Sequence, residues 1–230
     1  MNYLKIKSEN DRIFENGGFG EMRSVYYKDY PLTDRDGKRP YYSVSEHIVS
    51  MTTTECILAN RDKRIIALNF ANAHYPGGAY VMGGNAQEEA LCRCSGLYYT
   101  IREAKEYYNA NHRHILPDYT DGMIYSENVP VIRNDMGELL EKPVICSFIT
   151  CPAVNRRMAA MSDKKVDQIM EKRIARIVSL AADKKPDVMI FGAFGCGVFG
   201  NKRSSVFPLF EAAINKYTDG SAEILFAVPD

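Results

Sequence analysis

Between residues 69 and 89 the chain reads NFANAHYPGGAYVMGGNAQEE, a run in which two glycine pairs flank a short apolar insert and two adjacent carboxylates close the loop. Glycine lets backbone N–H groups approach a ligand closely. Glu88 and Glu89 would open a helix, where acidic side chains can simply partner the helix dipole for about 0.3 to 1 kcal/mol. Their position after a backbone-exposing loop points to more. A carboxyl in a partly dry cleft has its pKa raised and can act as a general acid. Neighbouring helical residues diverge by about 100° around the axis, so the two glutamates have different parts: one can orient a hydroxyl while the other moves protons.

A second glycine loop, GAFGCGVFGN over residues 192–201, leads towards another helix. Inward-pointing N–H groups and a helix amino terminus together suit a diphosphate. Gly195, Gly197 and Gly200 also spell G-x-G-x-x-G, the dinucleotide fingerprint of oxidoreductases. That fingerprint belongs to the first turn of a long βαβαβ unit, and only 30 residues follow Gly200. Cys196 reads as a small residue chosen for shape rather than for reactivity. The six cysteines form no C-x-x-C pair, and His112 and His114 read as parts of a solvated loop, so no metal is expected. Lys202 and Arg203 read as a solvated cap. Arg156 and Arg157 either meet a polyanion or face water.

The elements that must position these loops are legible in the hydrophobic pattern. Apolar, β-branched runs at residues 64–70, 144–150, 187–191 and 222–228 read as strands buried on both faces. Helical spacing covers residues 88–101, residues 166–181 behind a Ser162 cap, and residues 206–214 with Pro208 in the first turn or two. Such alternation predicts a three-layer α/β/α sandwich. Residues 128–140 interrupt it, with a turn at 134–137 that predicts a surface hairpin. Ligands of open α/β sheets lie beyond the carboxyl ends of strands, which is where both glycine loops fall.

Length and composition fit this frame. A chain of 230 residues with 46% hydrophobic and 25% charged residues is expected to form one globular domain. Its 29 basic side chains balance 29 acidic ones, so direct nucleic-acid binding is not expected, while a small anionic ligand is compatible. The first residues precede no apolar signal segment and no run reaches membrane-spanning length, which predicts a soluble, cytoplasmic protein. A monomer is favoured. Tyr98, Tyr99, Tyr107 and Tyr108 read as packing or surface residues.

Gly77-Gly78-Ala79, seven residues, then Gln87-Glu88-Glu89 resembles the signature of poly(ADP-ribose) glycohydrolases. The runs NFANAHYPGG, GGNAQEEALCRCSGLY, SFITCPAVN and FGAFGCGVFGN resemble, in order, the compact microbial branch of that family. The resemblance implies a macrodomain-like α/β/α sandwich with a central mixed sheet. It makes residues 1–230 one catalytic domain on which an extension of about residues 1–50 packs. It implies hydrolysis of ribose–ribose O-glycosidic bonds of poly(ADP-ribose), mainly from chain ends, releasing ADP-ribose with no cofactor or metal. The partner would be ADP-ribose or its polymer on modified proteins. Glu89 would be the catalytic acid and base, and Glu88 would hold ribose hydroxyls. Asn72, Gly77, Gly78, Ala79 and Gln87 would contact substrate from the first loop. Gly195, Cys196, Gly197, Val198, Phe199 and Gly200 would straddle the diphosphate, with Phe199 near the distal ribose. Ala79 replaces the family's third glycine, and Asn201-Lys202-Arg203 replaces the usual Asn-Asp-Pro. Two other readings share these motifs: removal of single ADP-ribose groups from an acceptor, and ADP-ribose binding without hydrolysis.

Overall fold

In the computed structural model, which describes residues 2–35 and 39–230, a mixed seven-stranded sheet separates two helical layers. The strands are β1 (Arg23–Tyr27), β2 (Ile48–Val49), β3 (Ile65–Phe70), β4 (Met123–Arg133), β5 (Leu139–Cys151), β6 (Val188–Gly192) and β7 (Glu223–Ala227), in the order β1-β4-β5-β3-β6-β7-β2. β4 alone runs against the others. The near-continuous apolar runs arise because alternate side chains are buried on opposite faces. On β3, Ile66 and Leu68 join the core under α6 (Asp163–Asp183) and α7 (Arg203–Tyr217). Ile65 and Ala67 join the core on the other face, under α2 (Thr53–Ala59), α3 (Gln87–Cys94), α4 (Leu97–Ile101) and α5 (Lys105–Arg113). The α/β/α sandwich is therefore the observed architecture.

The four expected strands and the helix behind Ser162 are present, and the Ser162 side chain accepts from the Lys165 amide. Three expectations need correction. The helix expected over residues 88–101 is two helices, because Ser95 turns extended and bridges Val131 while the Gly96 amide donates to the Pro130 carbonyl. The hairpin at 128–140 is not a surface feature: its strands are interior members of the sheet, with Val129, Val131 and Ile132 buried. Its turn and the start of β5 are at the surface, with Leu139 exposed, and Glu127 and Asn128 together face Ser147 in a bulge with Asn128 at φ 56°. Finally, His112 lies in the last turn of α5 rather than in a loop, and His114 just beyond it pairs with Asp118.

The amino-terminal residues are tied to the rest. α1 (Tyr3–Glu15) buries Asn10, whose side chain donates to the Arg93 carbonyl and accepts from Arg133 Nε. Tyr42 lies in the core and donates to the Ile224 carbonyl. Positions 1 and 36–38 of the expected 1–50 stretch lie outside the described residues.

Candidate active site

A cleft of about 770 Å³, within the range of small-molecule sites, crosses the carboxyl ends of β3, β6 and β7. One wall is the start of α3. Gln87 staples that helix to β3: its Oε1 accepts from the Phe70 amide at 2.9 Å and its Nε2 donates to the Leu68 carbonyl at 2.8 Å. Its amide is thus engaged by the protein's own backbone, so it fixes the wall, although it also lines the cleft.

The two glutamates diverge as helix geometry requires. Glu88 is nearly fully buried; its Oε2 accepts from the Asn72 amide at 2.7 Å and its Oε1 from Asn69 Nδ2 at 3.1 Å. Burial, reinforced by the charge of neighbouring Glu89, pushes the Glu88 carboxyl up to about 8 against the pull of those donors. Glu89 has both oxygens held by backbone: Oε1 accepts from the Ala79 amide at 2.9 Å and Oε2 from the Ala86 amide at 2.8 Å. The two carboxylates converge on Gly78, where an added Cβ would sit 2.5 Å from Glu89 Oε1 and 3.2 Å from Glu88 Oε2. Gly78 also has φ 56°, so both space and backbone demand glycine.

Residues 77–79 do not line the cleft; they stand behind the carboxylates and aim them. Ala79 has φ −91°, a conformation any residue adopts, which is why it can replace a third glycine. Asn72 does line the cleft, but its Oδ1 accepts from the His74 and Tyr75 amides, which leaves Nδ2 as the atom that can meet a ligand.

The facing wall is the second glycine loop. Gly195, Cys196, Gly197, Val198 and Phe199 line the cleft, whereas Gly200 lies outside it against Arg157. Buried Asn201 folds the loop by donating to the Val154 and Gly195 carbonyls. A Cβ on Gly197 would meet nothing within 4 Å, so this stretch of backbone is open to a ligand. Burial pushes the Cys196 thiol up to about 11, in keeping with a residue chosen for shape.

Several lining residues escaped sequence reasoning. Arg203, expected as a solvated cap, lines the cleft in the first turn of α7, where a guanidinium adds to the positive helix end; that position after a glycine loop was the available signal. Phe70, Thr52–Thr54, Asp135 and Tyr3 also line it. Asp135 in the β4–β5 turn accepts from Thr52 Oγ1, and the Arg93 guanidinium lies 4.0 Å from the Tyr3 ring centroid. These contacts join segments far apart in sequence, and nothing local announces them. Arg156 is mostly buried and pairs with Asp163 and Asp167. Among the described residues no group of three or more His, Cys, Asp or Glu could hold a metal, and no helix is long and apolar enough to cross a membrane.

Sheet order and the two-walled cleft define a macrodomain-like α/β protein. The family described as microbial-type PARG, catalytic domain, matches residues 8–134, more than half of the chain. The chain belongs to this family of microbial-type poly(ADP-ribose) glycohydrolases. The crystal structure of poly(ADP-ribose) glycohydrolase from Thermomonospora curvata bound to the inhibitor ADP-HPD is similar over 99% of this chain and 93% of that one, at 28% identity and a TM-score of 0.82. That of the enzyme from Deinococcus radiodurans in complex with ADP-ribose is 36% identical over 80% of this chain and 76% of that one, with a TM-score of 0.73. No curated protein sequence matches the chain.

Proposed function

We propose that the protein is a poly(ADP-ribose) glycohydrolase that hydrolyses ribose–ribose bonds and releases ADP-ribose. The observation that carries this reading is the fixed carboxylate pair facing an open glycine loop across one cleft. ADP-ribose lies across the strand ends. Its diphosphate meets the N–H groups of residues 195–199 and the Arg203 end of α7, and its terminal ribose meets Asn72 Nδ2 and Glu88. In its protonated form, Glu89 gives a proton to the departing 2′-oxygen as the bond from that oxygen to the anomeric carbon breaks. A water oxygen then bonds to the anomeric carbon, and its proton goes to Glu89. The net change is hydrolysis, with the catalyst restored. The backbone amides of Ala79 and Ala86 hold that carboxyl still, so little reorganisation is needed in the transition state.

Attack from chain ends is supported by the walls that Tyr3, Asp135 and Thr52–Thr54 build around the cleft. Residues 1–230 act as one catalytic unit on this reading, with α1 packed against α3 through Asn10. It works as a cytoplasmic monomer on polymer attached to modified proteins. The test is product analysis after incubation with automodified poly(ADP-ribose), wild type against Glu89→Gln. The expected result is free ADP-ribose from the wild type and at least a 100-fold lower rate from the variant, the scale of general acid–base catalysis. Stoichiometric binding without product, or full turnover by Glu89→Gln, would overturn the assignment.

A further inference from the structure

Beyond the carboxylates, where β3 and β5 end, lies a cluster of rings that the reaction above does not use. The turn after Asn72 carries His74 and Tyr75, the end of α5 carries His112, and the loop before β4 carries Tyr119. His74 lies 5.0 Å from His112 and 5.5 Å from Tyr119 between ring centroids, and Tyr75 lies 6.0 Å from His112. Tyr119 in turn lies 5.9 Å from Phe199 of the second glycine loop. The rings therefore join the two walls of the cleft at its carboxylate end. Tyr75 is 64% exposed and His112 is exposed, so ring surface is left uncovered.

The ledge is firmly built. Asn72 Oδ1 pins the His74 and Tyr75 amides. Fully buried Arg173 donates to the Asp118 and Tyr119 carbonyls and pairs with Asp121. Buried Asn111 of α5 accepts from the Thr120 amide and hydroxyl, tying the helix to the same loop. Burial, and then the neighbouring His112, hold His74 below its ordinary range, so this ring stacks without charge at pH 7. Beside Phe199, the Arg157 amide donates to the Phe199 carbonyl, and the exposed Arg157 guanidinium has no carboxylate partner among the described residues.

We infer that this ledge is a second nucleotide subsite, which stacks the adenine of the ADP-ribose unit whose 2′-oxygen departs, with Arg157 beside that unit's diphosphate. The inference rests on reading the cleft as an ADP-ribose site and deepens it. Before cleavage one nucleotide lies in the cleft and a second outside, joined through the ribose at the carboxylates; the ledge begins where that second nucleotide must emerge. Exposed rings receive any base on a π-face, and an unpaired guanidinium meets a diphosphate.

The test is calorimetry with ADP-ribose and with a linear ADP-ribose dimer, on Glu89→Gln protein so that the dimer survives. The dimer is expected to bind about tenfold more tightly than the monomer, the scale of one base stack. The double substitution Tyr75→Ala with His112→Ala, both on the surface, should erase that advantage and leave ADP-ribose affinity unchanged. Equal binding of monomer and dimer, or an advantage that survives the double substitution, would overturn the ledge. With Glu89 intact, the double variant should raise the KM for dimer hydrolysis about tenfold at unchanged kcat; an unchanged KM also overturns it. Absence of polymer hydrolysis by the wild type sinks the enzymatic reading while the binding comparison still decides the ledge. Failure of ADP-ribose and dimer alike to bind refutes both.

Discussion

Glu88→Gln should invert the order of stability between variant and wild type as pH rises. Burial moves the Glu88 carboxyl from an ordinary 4.5 to about 8. Between those values the folded chain holds a proton that the unfolded chain has lost, so wild-type stability falls as pH rises through the window. At roughly 1.4 kcal/mol per unit the loss is about 3 kcal/mol by pH 7 and about 5 once pH exceeds 8. Below pH 4.5 both states are protonated and nothing is lost. A glutamine carries no such charge. It does, however, face two donors, Asn69 Nδ2 and the Asn72 amide, with only one oxygen. One donor is left opposite the new amide, for about 1 to 3 kcal/mol at every pH. Urea denaturation at pH 5 should therefore find the variant less stable, and at pH 8.5 more stable, with the curves crossing between. Titrating groups that do not interact with Glu88 contribute to both proteins and cancel in the difference. A variant-minus-wild-type difference that stays constant from pH 5 to 8.5 would refute the buried-acid argument.

Gly78→Ala should lower kcat by at least tenfold, because the new Cβ must displace Glu89 Oε1 and the left-handed backbone adds about 1 to 2 kcal/mol of strain. Ala79→Gly, at a negative φ, should change stability by less than about 1 kcal/mol and leave turnover intact; the pair is read by thermal melting and steady-state rates. Cys196→Ala should keep its rate and the wild-type response to thiol alkylation at neutral pH, since burial holds that thiol protonated; loss of activity on alkylation of the wild type alone would oppose this.

The parts of the fold that could be read from sequence are those with a local signature. β3, β6 and β7 are short apolar runs because both faces are covered, and α6 shows its cap and its spacing. β1, which alternates exposed and half-buried side chains at a sheet edge, gives no such run. The break between α3 and α4 is set by β4, which captures Ser95 and Gly96 from outside the helix. At the site, both glycine loops and the adjacent carboxylates were visible as motifs. Their division of labour was only partly so. Which glutamate is buried deeper depends on Asn69 and Asn72 closing over Glu88, and the Arg203 contribution depends on where α7 begins.

The Gln87 staple gives the cleft an unequal pair of jaws. One amide side chain grips both the last carbonyl-bearing turn of strand and its amide neighbour, so the acidic jaw cannot slide without losing several bonds together. In the opposite jaw Asn201 grips the Gly195 carbonyl and the Arg157 amide the Phe199 carbonyl, but among the described residues no side chain bonds Gly197 or Val198 between them, and Val198 is 73% exposed. Adjustment to an incoming ligand is therefore expected on the phosphate side, while the proton-transfer side stays put. Amide exchange should run faster at residues 197–199 than at 78–80 in the free protein; the reverse order would show that the hinge lies in the other jaw.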